Sequence, residues 1–333
     1  MKRKRSILTA IFCSAFSLVG CFGNGTATSE RDLIAPWNSE TRYEKSVYSI
    51  TKFISDVNNA NVEYIIADGE LSYELTWDNN LTTLKMDFWL KYNDDTNTPI
   101  KDRNLKDSIQ SNTTFRTISM TPETSERNVN MAVREGEKDK SHSIVTDYKN
   151  RISTLKENDG TTKTLQTPSS MLNVVDNEML YYSIRSFRYL VLGKTIDFSL
   201  TVPFDNFFNN NEKFFTYNMN VFVDPNVSSI ALNEQFRIDG LQVNEEDSVQ
   251  YIDTLKSVLA IKSSTSGTST VLYYAAKPIY VSQDKLYQIQ GEAQTEDAAM
   301  QKVLISFENK QLINSKNFGI MRYNLKEYTI NKQ

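Results

Sequence analysis

The stretch LSYELTWDNNLTTLKMDFWLKY, from Leu71 to Tyr92, decides the fold class. Leu71, Tyr73, Leu75 and Trp77 alternate with Ser72, Glu74 and Thr76. After Asp78-Asn79-Asn80, a second run alternates Leu84, Met86, Phe88, Leu90 and Tyr92 with polar residues. A period of two on both sides of a polar turn describes a β-hairpin with one buried face. The same alternation returns at Ile196, Phe198, Leu200 and Val202, and at Phe215, Tyr217, Met219, Val221 and Val223. Turn signals at Asn158-Asp159-Gly160, Asp224-Pro225-Asn226 and Ser264 to Gly267 separate further strand candidates. These are Val258 to Ile261, Val271 to Ala275, Val303 to Phe307 and Phe318 to Leu325. No βαβ rhythm or fixed-period repeat interrupts them, so antiparallel sheet with one wet face is expected.

Two segments read as helix. Ser39 is placed to cap a helix in which Tyr43, Val47, Ile50, Ile54 and Val57 recur at steps of four and three, the spacing of one apolar stripe. Between Asp176 and Phe187, DNEMLYYSIRSF offers a capping aspartate and a short helical face through Met179, Tyr182 and Ile184. The polar stretches Asn93 to Asn104 and Thr121 to Arg127 are the places where subdomains would part. The expectation is a mainly β (α+β) protein: a large curved antiparallel sheet or incomplete barrel with one or two helices.

Composition narrows the chemistry. The 333 residues are 39% hydrophobic and 23% charged, with 17 Phe, 17 Tyr and 3 Trp, which is globular material. Only 11 Gly and 7 Pro are present, and Gly23 and Gly25 make a GxG with no preceding strand, so a dinucleotide turn is not expected. One histidine and two cysteines leave little for Cys/His zinc sites, and HExxH is absent. The sequence calls for no cofactor. A formal charge of −4 gives no general attraction for nucleic acid.

The amino terminus carries an address. Lys2, Arg3, Lys4 and Arg5 precede an apolar run from Ile7 to Val19, too short for a spanning helix and right for a secretory signal. The run ends in Leu18-Val19-Gly20-Cys21, which resembles the lipobox of bacterial lipoproteins. That resemblance implies cleavage before Cys21, a diacylglyceryl group on its sulfur and acylation of its new amino terminus. Each buried CH₂ contributes about 0.8 kcal/mol, so two or three chains anchor firmly where one does not. Residues 1–20 take four positive charges with them, leaving 33 cationic against 41 acidic residues and a formal charge of −8. Cys13 departs with the signal and Cys21 is alkylated, so neither disulfide nor thiolate catalysis is expected. Residues 21–38 read as lipid anchor and flexible tether, and 39–333 as a β-rich extracytoplasmic domain. Such a protein would sit on the cell membrane or outer membrane, facing outside the cytoplasm.

Candidate reactive groups are few. His142 lies in Ser141-His142-Ser143 with no GxSxG elbow and reads as a surface histidine at a strand start. Asp94, Asp95 and Asn97, and Glu245, Glu246 and Asp247, are oxygen-rich, but Lys106 stands at the twelfth position from Asp95 where an EF-hand needs Glu, so they read as solvated loops. Trp89 falls among Lys85, Asp87 and Lys91 on the polar face of its strand, either beneath the first helix or exposed as a sugar platform. Phe207 and Phe208 flank Asn209-Asn210-Asn211 and are candidates for the lip of an apolar cleft.

Asp176, Leu180-Tyr181-Tyr182, Arg185 and Gly193, with the upstream hairpin Asp147 to Leu165 bearing Arg151, resemble an uncharacterised family of bacterial exported proteins with an incomplete β-barrel. That family is related in architecture to the lipoprotein carriers of the Lol pathway. The chain departs from it at Leu81-Thr82-Thr83, where the family often has a glycine-bearing strand. The resemblance implies fold and assigns no catalytic residue. The expected role is a membrane-anchored lipoprotein acting as a non-catalytic binding or assembly module of the cell envelope, for an apolar ligand or an envelope protein. The alternative is a carboxylate-dependent hydrolase of envelope glycans, which needs two acids across a cleft.

Overall fold

The structure is a computed structural model. It describes residues 41–55, 63–78, 80–94, 104–117, 121–166, 176, 178–185, 195–203, 214–261, 269–277, 279–282, 285–288, 303–312 and 318–332. Eight strands come first: β1 (Thr41–Ser55), β2 (Glu63–Trp77), β3 (Leu81–Tyr92), β4 (Lys106–Arg116), β5 (Pro122–Asn130), β6 (His142–Asp147), β7 (Ile152–Glu157) and β8 (Thr162–Gln166). A short helix α1 (Leu180–Arg185) follows. Then come β9 (Thr195–Pro203), β10 (Phe214–Ala231), β11 (Tyr251–Ile261), β12 (Ser269–Ala275), β13 (Ile279–Ser282), β14 (Lys285–Gln288), β15 (Leu304–Leu312) and β16 (Phe318–Lys332).

Among the described residues fourteen strands form one antiparallel, unclosed sheet in the order β8-β7-β6-β5-β4-β3-β2-β1-β16-β15-β12-β11-β10-β9, and β13 and β14 pair separately. The hairpin read from Leu71 to Tyr92 is present, with Leu71 opposite Phe88 and Leu75 opposite Leu84. Asp78 closes its turn by accepting from the amides of Asn80 and Leu81, both at 2.8 Å. The Asn158-Asp159-Gly160 turn joins β7 to β8, with Gly160 at φ +88°. There glycine supplies the left-handed backbone without Cβ strain.

Several expectations are corrected. The segment carrying the four-three stripe is strand β1, at the centre of the sheet between β2 and β16. Its inward row is Glu44, Ser46, Tyr48, Ile50, Lys52 and Ile54, all buried, so half of the row is polar and the period of two is disguised. Tyr43 and Val47, on the opposite face, combined with Ile50 and Ile54 to imitate a helical stripe. Among the described residues the helix content is α1 alone. Thr121 to Arg127 parts nothing, since Pro122–Asn130 is strand β5, paired with β4 and β6. Asp224-Pro225-Asn226 is not a strand boundary: it lies inside β10, where Val223 and Val227 are four residues apart while their partners Ser257 and Leu255 are two apart. The turn residues accommodate a bulge there.

The core runs through both halves of the sheet and α1. Tyr48, Leu75, Leu84, Leu90, Phe115, Leu272, Tyr274 and Phe307 belong to one buried cluster with Met179, Leu180, Tyr181 and Ile184. Phe307 stacks on Tyr323 at 4.0 Å between centroids and meets Tyr181 at 4.7 Å. α1 therefore lies on the inner face, on the chain path between edge strands β8 and β9.

This strap requires curvature. Glu178 reaches Arg127 on β5, while the Tyr181 carbonyl accepts from Tyr274 on β12. Along a flat sheet β5 and β12 would stand seven strand steps apart, about 33 Å. The Asp176 carbonyl accepts from the Met179 amide, which makes this stretch a turn leading into helix, spanning only about 12 Å. The flanks must roll towards each other around α1.

Candidate functional site

The inner wall changes character across the sheet. On β2 and β3 it is mainly apolar, but on β4 to β7, as on β1, hydroxyl and charged side chains take inward positions. Thr113, Ser125, Thr146 and Ser153 form one row across four strands by direct register. All four are buried. The Thr113 and Ser125 hydroxyls lie 3.2 Å apart, and the Thr146 and Ser153 hydroxyls lie 3.0 Å apart. The adjacent row is Met86, Ser111, Arg127, Ile144 and Leu155.

The segment entering α1 covers these rows with two acids. Asp176 accepts from Tyr148 Oη at 2.5 Å, from Thr113 Oγ1 at 3.3 Å and from the Glu178 amide at 2.9 Å. The sequence placed this aspartate at a helix cap, but α1 begins four residues later at Leu180; Asp176 instead closes the turn leading into the helix, and its carboxylate fastens that turn to the wall. Burial and the neighbouring Asp176 charge push the Tyr148 hydroxyl well above its ordinary pKa, so it remains a donor. Glu178 Oε1 lies 3.3 Å from Arg127 Nε, and both side chains are largely buried. The Nε–H is nevertheless not aligned with that oxygen, and neither it nor Ser111 Oγ has a hydrogen-bond partner.

His142 starts β6, as read, but is not a surface residue: it is buried, with Nδ1 2.8 Å from the Lys140 carbonyl. Because a carbonyl only accepts, Nδ1 carries the proton. Burial, with Arg127 nearby, pushes its pKa down to about 4, so the ring is neutral at neutral pH. Ser141 Oγ donates to the Met131 carbonyl. This is a folded corner and not a nucleophile–base pair.

A second buried polar group lies further along the wall. Asp107 and Arg134 pair at 2.6 Å, with side-chain exposures of 0% and 6%. Arg134 and Lys52 both lie over the Tyr92 ring, at 5.7 and 4.9 Å, and Lys52 Nζ donates to Tyr92 Oη at 3.0 Å. These contacts bind the segment after β5 to β3 and β4.

Trp89 is half-buried on the outer face, where Lys106 Nζ sits 5.0 Å from its ring. Among the described residues no helix covers it, and the ring is capped by a cation instead of presenting a bare platform. Cys21, Phe207 and Phe208 lie outside the described residues, as do Asp95 and Asn97. Glu245, Glu246 and Asp247 are exposed, and among the described residues no group of three or more potential metal ligands converges. Sequence reading missed Ser111, Thr113, Ser125 and Arg127, because hydroxyls at inward positions erase the apolar alternation. The run Thr113-Thr114-Phe115, β-branched and aromatic, was the available signal.

No family model matches the chain, and no curated protein matches it. Among solved structures, a β-barrel-like protein of domain of unknown function DUF1849 from Brucella abortus is similar. The identity is 11% and the TM-score 0.47, over 88% of this chain and 99% of that one.

Proposed function

We propose that the chain is a lipid-anchored binding or assembly module of the bacterial cell envelope, held to a membrane through acyl chains on Cys21. The observation that carries the anchor is the order of features in residues 2–21: four cations, an apolar run and Leu18-Val19-Gly20-Cys21. The binding role is supported by the inner wall, whose polar groups are arranged to hold one another and α1. Asp176 and Glu178 come from one turn on one side of the wall, where hydrolysis of a glycan needs acids on opposite sides of a bond. An apolar ligand or an envelope protein would meet the rolled sheet from its concave side.

The test is Cys21→Ala, expressed in a bacterium with its own leader and followed by metabolic labelling with fatty acid and membrane fractionation. Loss of label and release from the membrane fraction are expected. Unchanged label and membrane retention would overturn the anchor.

A further inference from the structure

Among the described residues the open edges of the sheet are β8, β9 and the part of β10 that β9 does not reach, residues 223–231. Two of the three carry a device against strand addition. β8 is five residues long and bears Lys163. The free part of β10 holds Asp224, Pro225 and the bulge between Val223 and Val227, and a bulge or a proline spoils an edge as a template. β9 has neither along its length. It reads TIDFSLTVP from Thr195 to Pro203, nine residues with one charge, and its proline comes last. Such an edge offers a row of backbone donors and acceptors to another strand.

We infer that β9 pairs with β9 of a second copy of this chain, antiparallel about a two-fold axis at Ser199. The strand is self-complementary about that residue: Ile196 comes opposite Val202 and Phe198 opposite Leu200, so apolar positions meet apolar positions. A strand meant for a different protein needs no such symmetry. The same axis pairs all nine residues and sets each Asp197 opposite Thr201. The two Asp197 positions then stand four residues apart along the strands, about 13 Å, beyond the screening length of about 8 Å at physiological salt. An axis two residues nearer the strand start would put Asp197 against its own copy. The two-fold reverses the strand direction of the second copy, so the two tethers leave from opposite ends. Residues 21–40 reach about 66–72 Å when extended, more than the roughly 50 Å of the 15-residue β1, so both copies stay moored to one membrane. The pairing deepens the assembly reading, on which it rests, by naming the partner.

The test is native mass spectrometry of the full chain, extracted from bacterial membranes in detergent, over a concentration series. Ser199 holds an outer-row position, in step with Thr195 opposite the exposed Phe222, and a charge introduced there meets its own counterpart across the axis. A dimer is expected for the wild type. Its dissociation constant should rise about fivefold in Ser199→Lys and in Ser199→Glu, and recover when the two variants are mixed. In a second measurement, which does not depend on how the charged variants fold, Ser199→Cys should join two copies by a disulfide under mild oxidation, whereas Thr195→Cys should not. Three results overturn the pairing. One is a wild type that stays monomeric throughout, as when the chain itself or another protein takes the edge. Another is a dimer of equal strength in the wild type and both variants, which places the contact elsewhere. The third is weakening without recovery on mixing and without a Ser199→Cys cross-link, which removes the axis. Acyl label on Cys21 and membrane retention are unaffected by any of these, so the anchor reading falls only by its own test.

Discussion

Gly69 shows how closely single residues constrain this sheet. It lies in β2 opposite Leu90, and a Cβ built there would come within 2.1 Å of the Trp89 carbonyl oxygen. That oxygen is backbone within β3 and cannot swing aside, so Gly69→Ala must part the two strands. A loss of about 2–3 kcal/mol is expected in denaturant unfolding, in the range of overpacking. A loss below 0.5 kcal/mol would show that the strands separate freely. His142 gives a pH signature. Its folded pKa lies near 4, below the ordinary 6.5, so the unfolded chain binds the proton more readily between those values. The contribution is complete above about pH 6.5, is lost as pH falls towards 4, and changes little below. His142→Asn keeps a donor for the Lys140 carbonyl and removes the titration. Between pH 6.5 and 4 the wild type should lose more stability than the variant, by an amount of order 3 kcal/mol. Parallel stability–pH curves would contradict this.

At the scale of elements, α1 is too short to persist alone and depends on its attachments. Asp176→Ala removes acceptors from Tyr148, Thr113 and the Glu178 amide together. The expected loss is about 2–3 kcal/mol, with hydrogen exchange rising first at Met179 to Ile184 while β1 and β16 keep their protection. Equal acceleration throughout the sheet would mean that strap and sheet open as one unit. Legibility in the sequence followed side-chain chemistry. The hairpin from Leu71 to Tyr92 was readable because its inward positions are apolar, and so were β9, β11, β12 and β15 in part. β1 was misread because Glu44, Ser46 and Lys52 occupy inward positions, satisfied by distant partners such as Tyr328 and Tyr92 that no local pattern can reveal. β4 and β5 were missed for the same reason. The polar wall was therefore invisible at the positions that make it distinctive. Only Asp176, with its early glutamate and aromatic helix, announced a part of it.

At the scale of the molecule, the sheet is joined at its centre by the ends of the described chain. β1 pairs with β16, Tyr43 opposite Asn331 and Ile50 opposite Tyr323. Such long-range pairing makes for slow folding. Of the two edge strands, β8 is five residues long and carries Lys163, paired with Glu157 at 3.2 Å. A short, charged edge discourages further strand addition. Among the described residues the sheet thus stays open around α1. The most direct measurement is intact and peptide mass spectrometry of the protein extracted from bacterial membranes. The account expects a chain beginning at Cys21 whose first residue carries the mass of a diacylglyceryl group, with or without a further acyl chain. A chain that retains residues 1–20, or a Cys21 with an unmodified sulfur, would contradict it.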